Sequence, residues 1–104
     1  MRALLLAACA VLCPALALAA TVRVAIHDYD FAPKVVMVHP GDTVVWTNTD
    51  SVPHTVAALG GGFVSGALAP GGTYRHVFAA TGRFAYRCGI HPEMQGTVVV
   101  APTP

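Results

Sequence analysis

Three side chains that bind soft metal ions lie close together near the carboxyl end of the chain. Cys88, His91 and Met94 are each three residues apart, in the pattern C-x2-H-x2-M. Thiolate, imidazole and thioether groups together suit copper, and two histidines, one cysteine and a weak axial methionine form the electron-transfer copper site. The spacing therefore predicts three copper ligands, and it requires a second histidine from another part of the chain.

Four other histidines are candidates for the second imidazole. His54 lies in a turn over residues 50–55 that follows a strand pattern, and functional sites are commonly built from loops on a rigid frame. His27 and His39 fall at strand ends, where we expect solvated side chains. His76 shares a strand face with two aromatic residues, which indicates packing. His54 is therefore the preferred fourth ligand.

Each predicted ligand also has a simpler structural interpretation. Cys88 could be a small buried apolar residue, His91 an ordinary loop histidine, and Met94 a filler of a gap in the core. A methionine in so short a loop has little core to fill, and a cysteine at a strand end before a His/Met loop favours ligation. Zinc could occupy a His/Cys site, but a thioether is a poor zinc ligand. We therefore prefer copper.

The main catalytic alternative is an enzyme that uses Cys88 as a nucleophile beside a histidine. The sequence shows no third group to orient that histidine and no oxyanion-forming loop. A copper oxidase or a nitrite reductase would need further metal sites and further domains. We therefore expect a protein that is not an enzyme.

The elements that must position these ligands are short strands. From residue 21 onward, apolar and polar residues alternate with period two, which is typical of half-buried strands. Turns rich in glycine and proline separate the strands, and no segment has a helical period of useful length. The pattern predicts seven or so strands in an antiparallel sandwich or barrel, with Trp46, Phe78, Phe84 and Tyr86 in its core.

The first 19 residues predict a secretory signal peptide. Arg2 supplies a positive start, an apolar stretch follows, and residues 17–19 (Ala-Leu-Ala) supply a cleavage site. We therefore expect the mature domain to span residues 20–104, with Thr21 as an alternative first residue. A transmembrane anchor is less favoured because Pro14 interrupts the apolar run, and a lipoprotein-like box at residues 6–9 comes too early. We expect a bacterial periplasmic protein with no stable membrane insertion after cleavage.

The composition excludes other functional classes. The chain has 104 residues, a formal charge of +1 and 11% charged residues. It is too balanced in charge for a nucleic-acid binder and too apolar for a disordered chain. Cys9 and Cys13 fall in the signal, so the mature chain keeps only Cys88 and has no internal disulfide. We expect Cys88 to be buried, bonded to another chain or held by a metal.

Several further segments follow one another in a recognisable order. They are 31–34 (FAPK), 38–48 (VHPGDTVVWTN), 51–56 (SVPHTV), 63–66 (FVSG), 68–71 (LAPG) and 86–100 (Y-x-C-x2-H-P-x-M-x-G-T-V-V-V). Together they resemble the cupredoxins, the type 1 blue copper proteins of the plastocyanin–azurin superfamily, and among these the amicyanins most. The resemblance implies a Greek-key β-sandwich of about eight strands that holds one copper ion near one end. It implies His54, Cys88, His91 and Met94 as ligands, and Asn48 as a residue that ties the His54 turn to the cysteine loop.

The same resemblance implies a monomeric carrier of single electrons that cycles between Cu(II) and Cu(I). It suggests an amine dehydrogenase as the electron donor and a c-type cytochrome as the acceptor. Pro53, Ile90 and Pro92 flank the ligands and predict an apolar docking patch, since small, weak interfaces are typical of redox encounters. Glu93 departs from the amicyanins, which carry a bulky apolar residue there. The alternative function is an exported copper chaperone or storage module. Such proteins often use Met-rich or paired-Cys motifs, but only two methionines and one cysteine lie outside the signal.

Overall fold

The computed structural model describes residues 18–104, so most of the predicted signal peptide lies outside the described residues. This part of the chain forms eight strands. They are β1 (Thr21–His27), β2 (Asp30–Ala32), β3 (Val35–Val38), β4 (Asp42–Asn48), β5 (Ala57–Ala58), β6 (Thr73–Phe78), β7 (Gly82–Arg87) and β8 (Gln95–Val100). Within residues 18–104, no helix has the length and apolar character needed to cross a membrane.

The strands form two four-stranded sheets, in the orders β2-β1-β4-β6 and β3-β8-β7-β5. This arrangement confirms the predicted β-sandwich of about eight strands. The prediction of antiparallel strands is wrong for two of the strand pairs, because β1 runs parallel to β4 and β3 runs parallel to β8. Alternation with period two shows which face of a strand is buried, but it carries no information on the direction of the neighbouring strand.

Aromatic side chains fill the space between the two sheets. Trp46 of β4 is fully buried, and the ring of Tyr86 from β7 meets it edge-on with the ring centroids 5.3 Å apart. The ring of Phe63 stacks on the indole of Trp46 with the ring centroids 5.9 Å apart. Phe78 is buried in the same cluster, and the partly buried Phe84 packs against it. The four aromatic residues that the alternation places in the core therefore all contribute to it.

A close approach between β7 and β8 fixes the position of Tyr86. A Cβ atom at Gly96, its partner across the ladder, would lie 2.5 Å from the Tyr86 hydroxyl, so only glycine fits there. Burial raises the pKa of Tyr86 to about 12, and the phenol therefore stays neutral in the core. Two residues beyond Tyr86 the chain reaches Cys88, so the tightly packed end of β7 anchors the loop that follows.

The first residue of β4 ties together three parts of the chain. The buried carboxylate of Asp42 accepts hydrogen bonds from the backbone N–H groups of Ala20 and His39, both at 2.8 Å. Both bonds favour the ionised carboxylate, and the bond from Ala20 has the larger effect. They hold the pKa of Asp42 below its ordinary value although desolvation by burial would raise it. The segment before β1 is thereby joined to the turn between β3 and β4.

The ends of three strands position the candidate ligands. β1 and β4 finish side by side because they run parallel with Ile26 opposite Asn48. The turn after β4 carries His54, and the connection from β7 to β8 begins with Cys88. Ligands that are distant in sequence are thus carried on loops whose ends are fixed by the sheets.

Candidate metal centre

Cys88 follows the last residue of β7, and its side chain is fully buried. Two backbone hydrogen bonds close the loop behind it, from the Cys88 N–H to the Met94 carbonyl at 3.1 Å and from the Met94 N–H to the His91 carbonyl at 2.9 Å. The N–H of Thr55 donates to the sulfur, with Thr55 N 3.3 Å from Cys88 Sγ. The thiol is therefore held both by its own loop and by the turn after β4.

His54 is fully buried and its backbone is fixed by a two-way pair of hydrogen bonds with Leu68, at 3.2 and 2.7 Å. Its Nε2 atom lies 2.8 Å from a carboxylate oxygen of Asp50. A carboxylate can only accept, so Nε2 carries the proton and Nδ1 keeps its lone pair. That Nδ1 atom lies 3.7 Å from Cys88 Sγ, so the lone pair is presented to the sulfur side of the site.

His91 completes a cluster of three ligand-type atoms. Its Nδ1 atom lies 3.8 Å from Cys88 Sγ, and the sulfur and the nitrogens of His54 and His91 are all within 4.8 Å of one another. Met94 is 1% exposed and belongs to the same buried cluster as Cys88. One thiol, two imidazoles and a nearby thioether are the donor set that copper prefers, and the residues present therefore fit a copper ion.

The environment of the Cys88 thiol favours its ionised form. Burial alone raises the pKa of Cys88, but hydrogen bonds from the Thr55 N–H and from the His91 side chain and backbone outweigh the desolvation. The pKa of Cys88 therefore lies below its ordinary value. Because the thiolate is the form that binds metals, the surroundings prepare the sulfur for ligation.

Asp50 is a residue of this site that the sequence did not reveal. Its side chain is 10% exposed, and its carboxylate accepts the His54 Nε2–H and the backbone N–H groups of Asp28 and Tyr29, the last two at 2.7 and 2.9 Å. The Tyr29 N–H is the largest of the causes that hold the pKa of Asp50 below its ordinary value, and His54 adds to it. The only available signal was an acidic residue four positions before a histidine, which is common in turns.

The residues that connect the two ligand-bearing loops differ from the expectation for Asn48. The Asn48 side chain donates to the carbonyls of Val52 and Leu68, both at 2.8 Å, and so it braces the His54 turn. The hydrogen bonds to the cysteine loop come from Thr55, whose N–H faces Cys88 Sγ and whose Oγ1 accepts the Gly89 N–H at 2.7 Å. Thr55 therefore has the bridging position that the resemblance gave to Asn48.

The three remaining histidines point elsewhere. His27 is exposed, and its Nδ1 atom lies 3.3 Å from the Thr49 hydroxyl. His39 is half-buried rather than freely solvated, because its Nδ1 atom lies 3.0 Å from the Ala101 carbonyl. His76 is half-buried with its ring 4.7 Å from that of Phe78, as the shared strand face predicted. Only His54 and His91 therefore approach Cys88 among the histidines of residues 18–104.

The surface around the cluster is apolar next to the ligands. Pro53, Ile90 and Pro92 are all exposed, and Ile90 keeps 50% of its surface accessible. Glu93 is also exposed and lies in the same loop as Ile90, Pro92 and the half-buried His91. The structure therefore leaves the predicted docking patch open to solvent.

A two-sheet β-sandwich that holds two histidines, one cysteine and one buried methionine at the end of its strands has the arrangement typical of a type 1 copper protein. The family model described as a cupredoxin-like domain matches residues 2–100. The chain therefore belongs to the cupredoxin-like domain family.

Amicyanins are among the known proteins that are similar to this chain. Amicyanin-alpha from Methylorubrum extorquens is 36% identical over 87 residues, which cover 79% of this chain and 73% of that protein. Amicyanin from Paracoccus denitrificans is 39% identical over 67 residues, which cover 58% of this chain and 50% of that protein. The chain thus spans between half and three quarters of the length of these relatives.

A solved structure shares the fold over most of the chain. The structure described as a novel purple cupredoxin from Nitrosopumilus maritimus superposes with a TM-score of 0.71 and 31% identity. The superposition covers 77% of this chain and 99% of that chain. The similarity therefore extends to nearly the whole of that protein's domain.

Proposed function

We propose that this chain is an exported, periplasmic blue copper protein that carries single electrons between redox partners. The observation that carries the proposal is the convergence of Cys88 Sγ with the Nδ1 atoms of His54 and His91, at 3.7 and 3.8 Å, beside buried Met94. We infer that these four residues are the copper ligands. Membership of the cupredoxin-like family and the amicyanin relatives support the same reading.

Copper bound there would supply one-electron chemistry through its Cu(II) and Cu(I) states. The role of the protein chain is to fix the positions of the ligand side chains. His54 is fixed by Asp50 and Leu68, and Cys88 is fixed by Thr55 and by its own loop. Because these two side chains have contacts of their own, a change of oxidation state requires little movement of either, which favours fast electron transfer.

Electrons would cross the surface next to His91. This half-buried imidazole is flanked by the exposed apolar residues Ile90 and Pro92, with Pro53 near the other histidine in sequence. An apolar patch beside a redox centre suits brief contact with a partner, because such encounters use small and weak interfaces. Residues 20–104 carry five Lys or Arg and five Asp or Glu side chains, so no strong overall field opposes the approach of a partner.

We further infer the location and the partners from the sequence. Residues 1–19 act as a secretory signal, and residues 20–104 form the mature cupredoxin domain. The resemblance to amicyanins suggests an amine dehydrogenase as donor and a c-type cytochrome as acceptor. These assignments are tested by amino-terminal sequencing of the exported protein and by reduction and oxidation with purified partners of each class.

The central experiment is to add Cu(II) to the purified protein and record its visible absorption and EPR spectra. We expect an intense thiolate-to-copper band near the red end of the visible spectrum, one copper per chain and a type 1 EPR signal. The absence of that band would refute the proposal. Ready transfer of Cu(I) to a copper-free acceptor, with slow electron self-exchange, would instead support the chaperone or storage function. The full burial of Cys88 and His54 argues against such exchange.

A further inference from the structure

The turn between β1 and β2 has an unusual backbone. Asp28 and Tyr29 form a two-residue connection, with His27 paired to Asp30, and both turn residues have positive φ angles of 51° and 58°. Hairpins with two positive φ angles favour Asn-Gly or Gly-Gly, because only such residues adopt this backbone at low cost. A tyrosine is poorly suited to the second position, so its presence calls for a structural reason.

The carboxylate of Asp50 stabilises this turn. It accepts the N–H groups of Asp28 and Tyr29 at 2.7 and 2.9 Å, which binds the turn at two successive residues. The same carboxylate accepts the Nε2–H of His54 at 2.8 Å. One carboxylate, only 10% exposed, therefore fixes both the hairpin turn and the His54 imidazole, and it sets the distance between them.

The result of this arrangement is the position of the Tyr29 ring. The ring lies edge-on to both imidazoles of the site, with centroid distances of 5.2 Å to His54 and 4.9 Å to His91. Tyr29 nevertheless keeps 49% of its surface exposed. Core packing does not account for a half-exposed ring, and the contacts that the ring makes are instead with the two histidines.

The two histidines differ in how they are oriented. His54 is fully buried, pairs with Leu68 through its backbone and bonds to Asp50 through its ring. His91 is half-buried, and within residues 18–104 it has no carboxylate partner of this kind. Ring packing is therefore a main constraint on the His91 side chain, and its aromatic neighbours are Tyr29 and His54.

We propose that Tyr29 is a positioning residue that covers both imidazoles, keeps the His91 ring turned toward Cys88 and restricts access from solvent to the metal centre. The structural part of the proposal, the orientation of His91, holds for the protein without copper. The part that concerns access to a bound ion rests on the proposed function. The required contact is between aromatic rings in a T-shaped, edge-to-face arrangement. The phenol hydroxyl is not needed for it.

The first experiment uses copper-free protein, so its outcome does not depend on copper binding. NMR spectra are recorded for the wild type, Tyr29→Phe, Tyr29→Ala and the matched turn control Asp28→Asn. We expect cross-relaxation between the ring protons of His54 and His91 in the wild type, Tyr29→Phe and Asp28→Asn. In Tyr29→Ala we expect this contact to disappear and the His91 ring signals to lose their ring-current shifts. An unchanged His54–His91 contact in Tyr29→Ala would overturn the proposal.

The second experiment measures access to the bound ion. Each copper-loaded, reduced protein is mixed with excess bicinchoninate, a bulky Cu(I) chelator, and the rate of copper removal is followed by absorbance. We expect Tyr29→Ala to lose copper about tenfold faster than the wild type, on the scale of other supporting residues around metal ligands. Tyr29→Phe and Asp28→Asn should match the wild type. Equal rates for Tyr29→Ala and the wild type would overturn the shielding role.

The two experiments separate the possible failures. If no variant and no wild-type protein binds copper, the proposed function fails while the NMR result still decides the positioning role. Loss of the fold in Tyr29→Ala is detected by the fluorescence of buried Trp46, the only tryptophan in the chain. In that case Tyr29→Leu, which keeps an apolar side chain without a ring, takes the place of the alanine variant.

Discussion

The carboxylate of Asp50 and the imidazole of His54 are joined by a hydrogen bond of 2.8 Å between Oδ2 and Nε2, and both side chains are shielded from solvent. This bond fixes the tautomer of His54 and leaves Nδ1 free on the side of Cys88. Carboxylate partners of ligating histidines raise the basicity of the ring and hold its orientation. The preparation of this ligand is therefore built into the turn after β4.

Replacement of this carboxylate should weaken metal binding. In Asp50→Asn the amide cannot accept all three hydrogen bonds with the strength of a charged group, so His54 loses its charge-assisted partner. We expect the affinity for Cu(II) to fall by about 10- to 100-fold, measured by competition with a chelator of known affinity. Asp28→Asn is the matched control, because the Asp28 carboxylate is 87% exposed. Equal affinities for Asp50→Asn and the wild type would contradict the role of this bond.

The thiolate of Cys88 should determine the colour of the protein. Cys88→Ser keeps the size of the side chain and its ability to accept the Thr55 N–H, but it removes the sulfur. We expect the intense visible band to vanish while the thermal unfolding of copper-free protein changes little. Absorption spectroscopy after addition of one equivalent of Cu(II) checks this outcome. An intense band in the serine variant would show that Cys88 is not the ligand responsible.

Met94 should control the reduction potential more than the colour. An amide oxygen is a harder ligand than a thioether and favours Cu(II), so Met94→Gln should keep the visible band and lower the potential. Met37→Gln is the matched control, because Met37 is 66% exposed on β3. Potentials of both variants and the wild type are compared by protein-film or solution voltammetry. If Met94→Gln has the wild-type potential, Met94 is a core residue and not a ligand.

The apolar patch should matter for encounters and not for the metal. Ile90→Ser removes an apolar side chain that is 50% exposed next to His91, and Leu59→Ser removes a matched one that is 51% exposed elsewhere. We expect the electron self-exchange rate of Ile90→Ser to fall about tenfold, equal to about 1.4 kcal/mol, with no change in potential. Leu59→Ser should exchange electrons at the wild-type rate. The rates are measured by NMR line broadening in mixtures of the two oxidation states.

Acid should weaken the fold partly through Asp42. The folded protein holds the pKa of Asp42 below its ordinary value of 3.8, so this carboxylate stabilises the fold fully above that value. The contribution is lost as the pH falls below about 4 and through the lower folded pKa. In Asp42→Asn we expect lower stability at pH 7 and a shallower loss of stability between pH 7 and acid. Urea unfolding at several pH values measures both, and an unchanged slope would contradict the prediction.

The parts of the structure that could be predicted from the sequence are those with local signals. The strands follow from period-two alternation, and the grouping of Cys88, His91 and Met94 follows from a spacing of three residues in one short loop. His54 was preferred because it lies in a turn, and the structure places its ring beside Cys88. In each case neighbouring residues carry the information, since backbone geometry fixes what close positions in the chain can do.

The parts that could not be predicted depend on contacts between distant segments. The parallel pairing of β1 with β4, the bond from Thr55 to Cys88 and the carboxylate of Asp50 on the turn at Tyr29 each join separate parts of the chain. None of these residues has a distinctive pattern around it, because threonine and aspartate are ordinary turn residues. Their roles arise only when the two sheets bring the loops together.

The hydrogen bond from the Ala20 N–H to the Asp42 carboxylate has a consequence for the proposed removal of the signal peptide. Cleavage before Ala20, at the predicted signal junction, would convert a neutral amide 2.8 Å from a buried carboxylate into a free ammonium group. Charge-assisted bonds are roughly twice as strong as neutral ones. If the proposed signal is cleaved there, the same hydrolysis would strengthen the bond between the new first residue and Asp42 and so stabilise the fold.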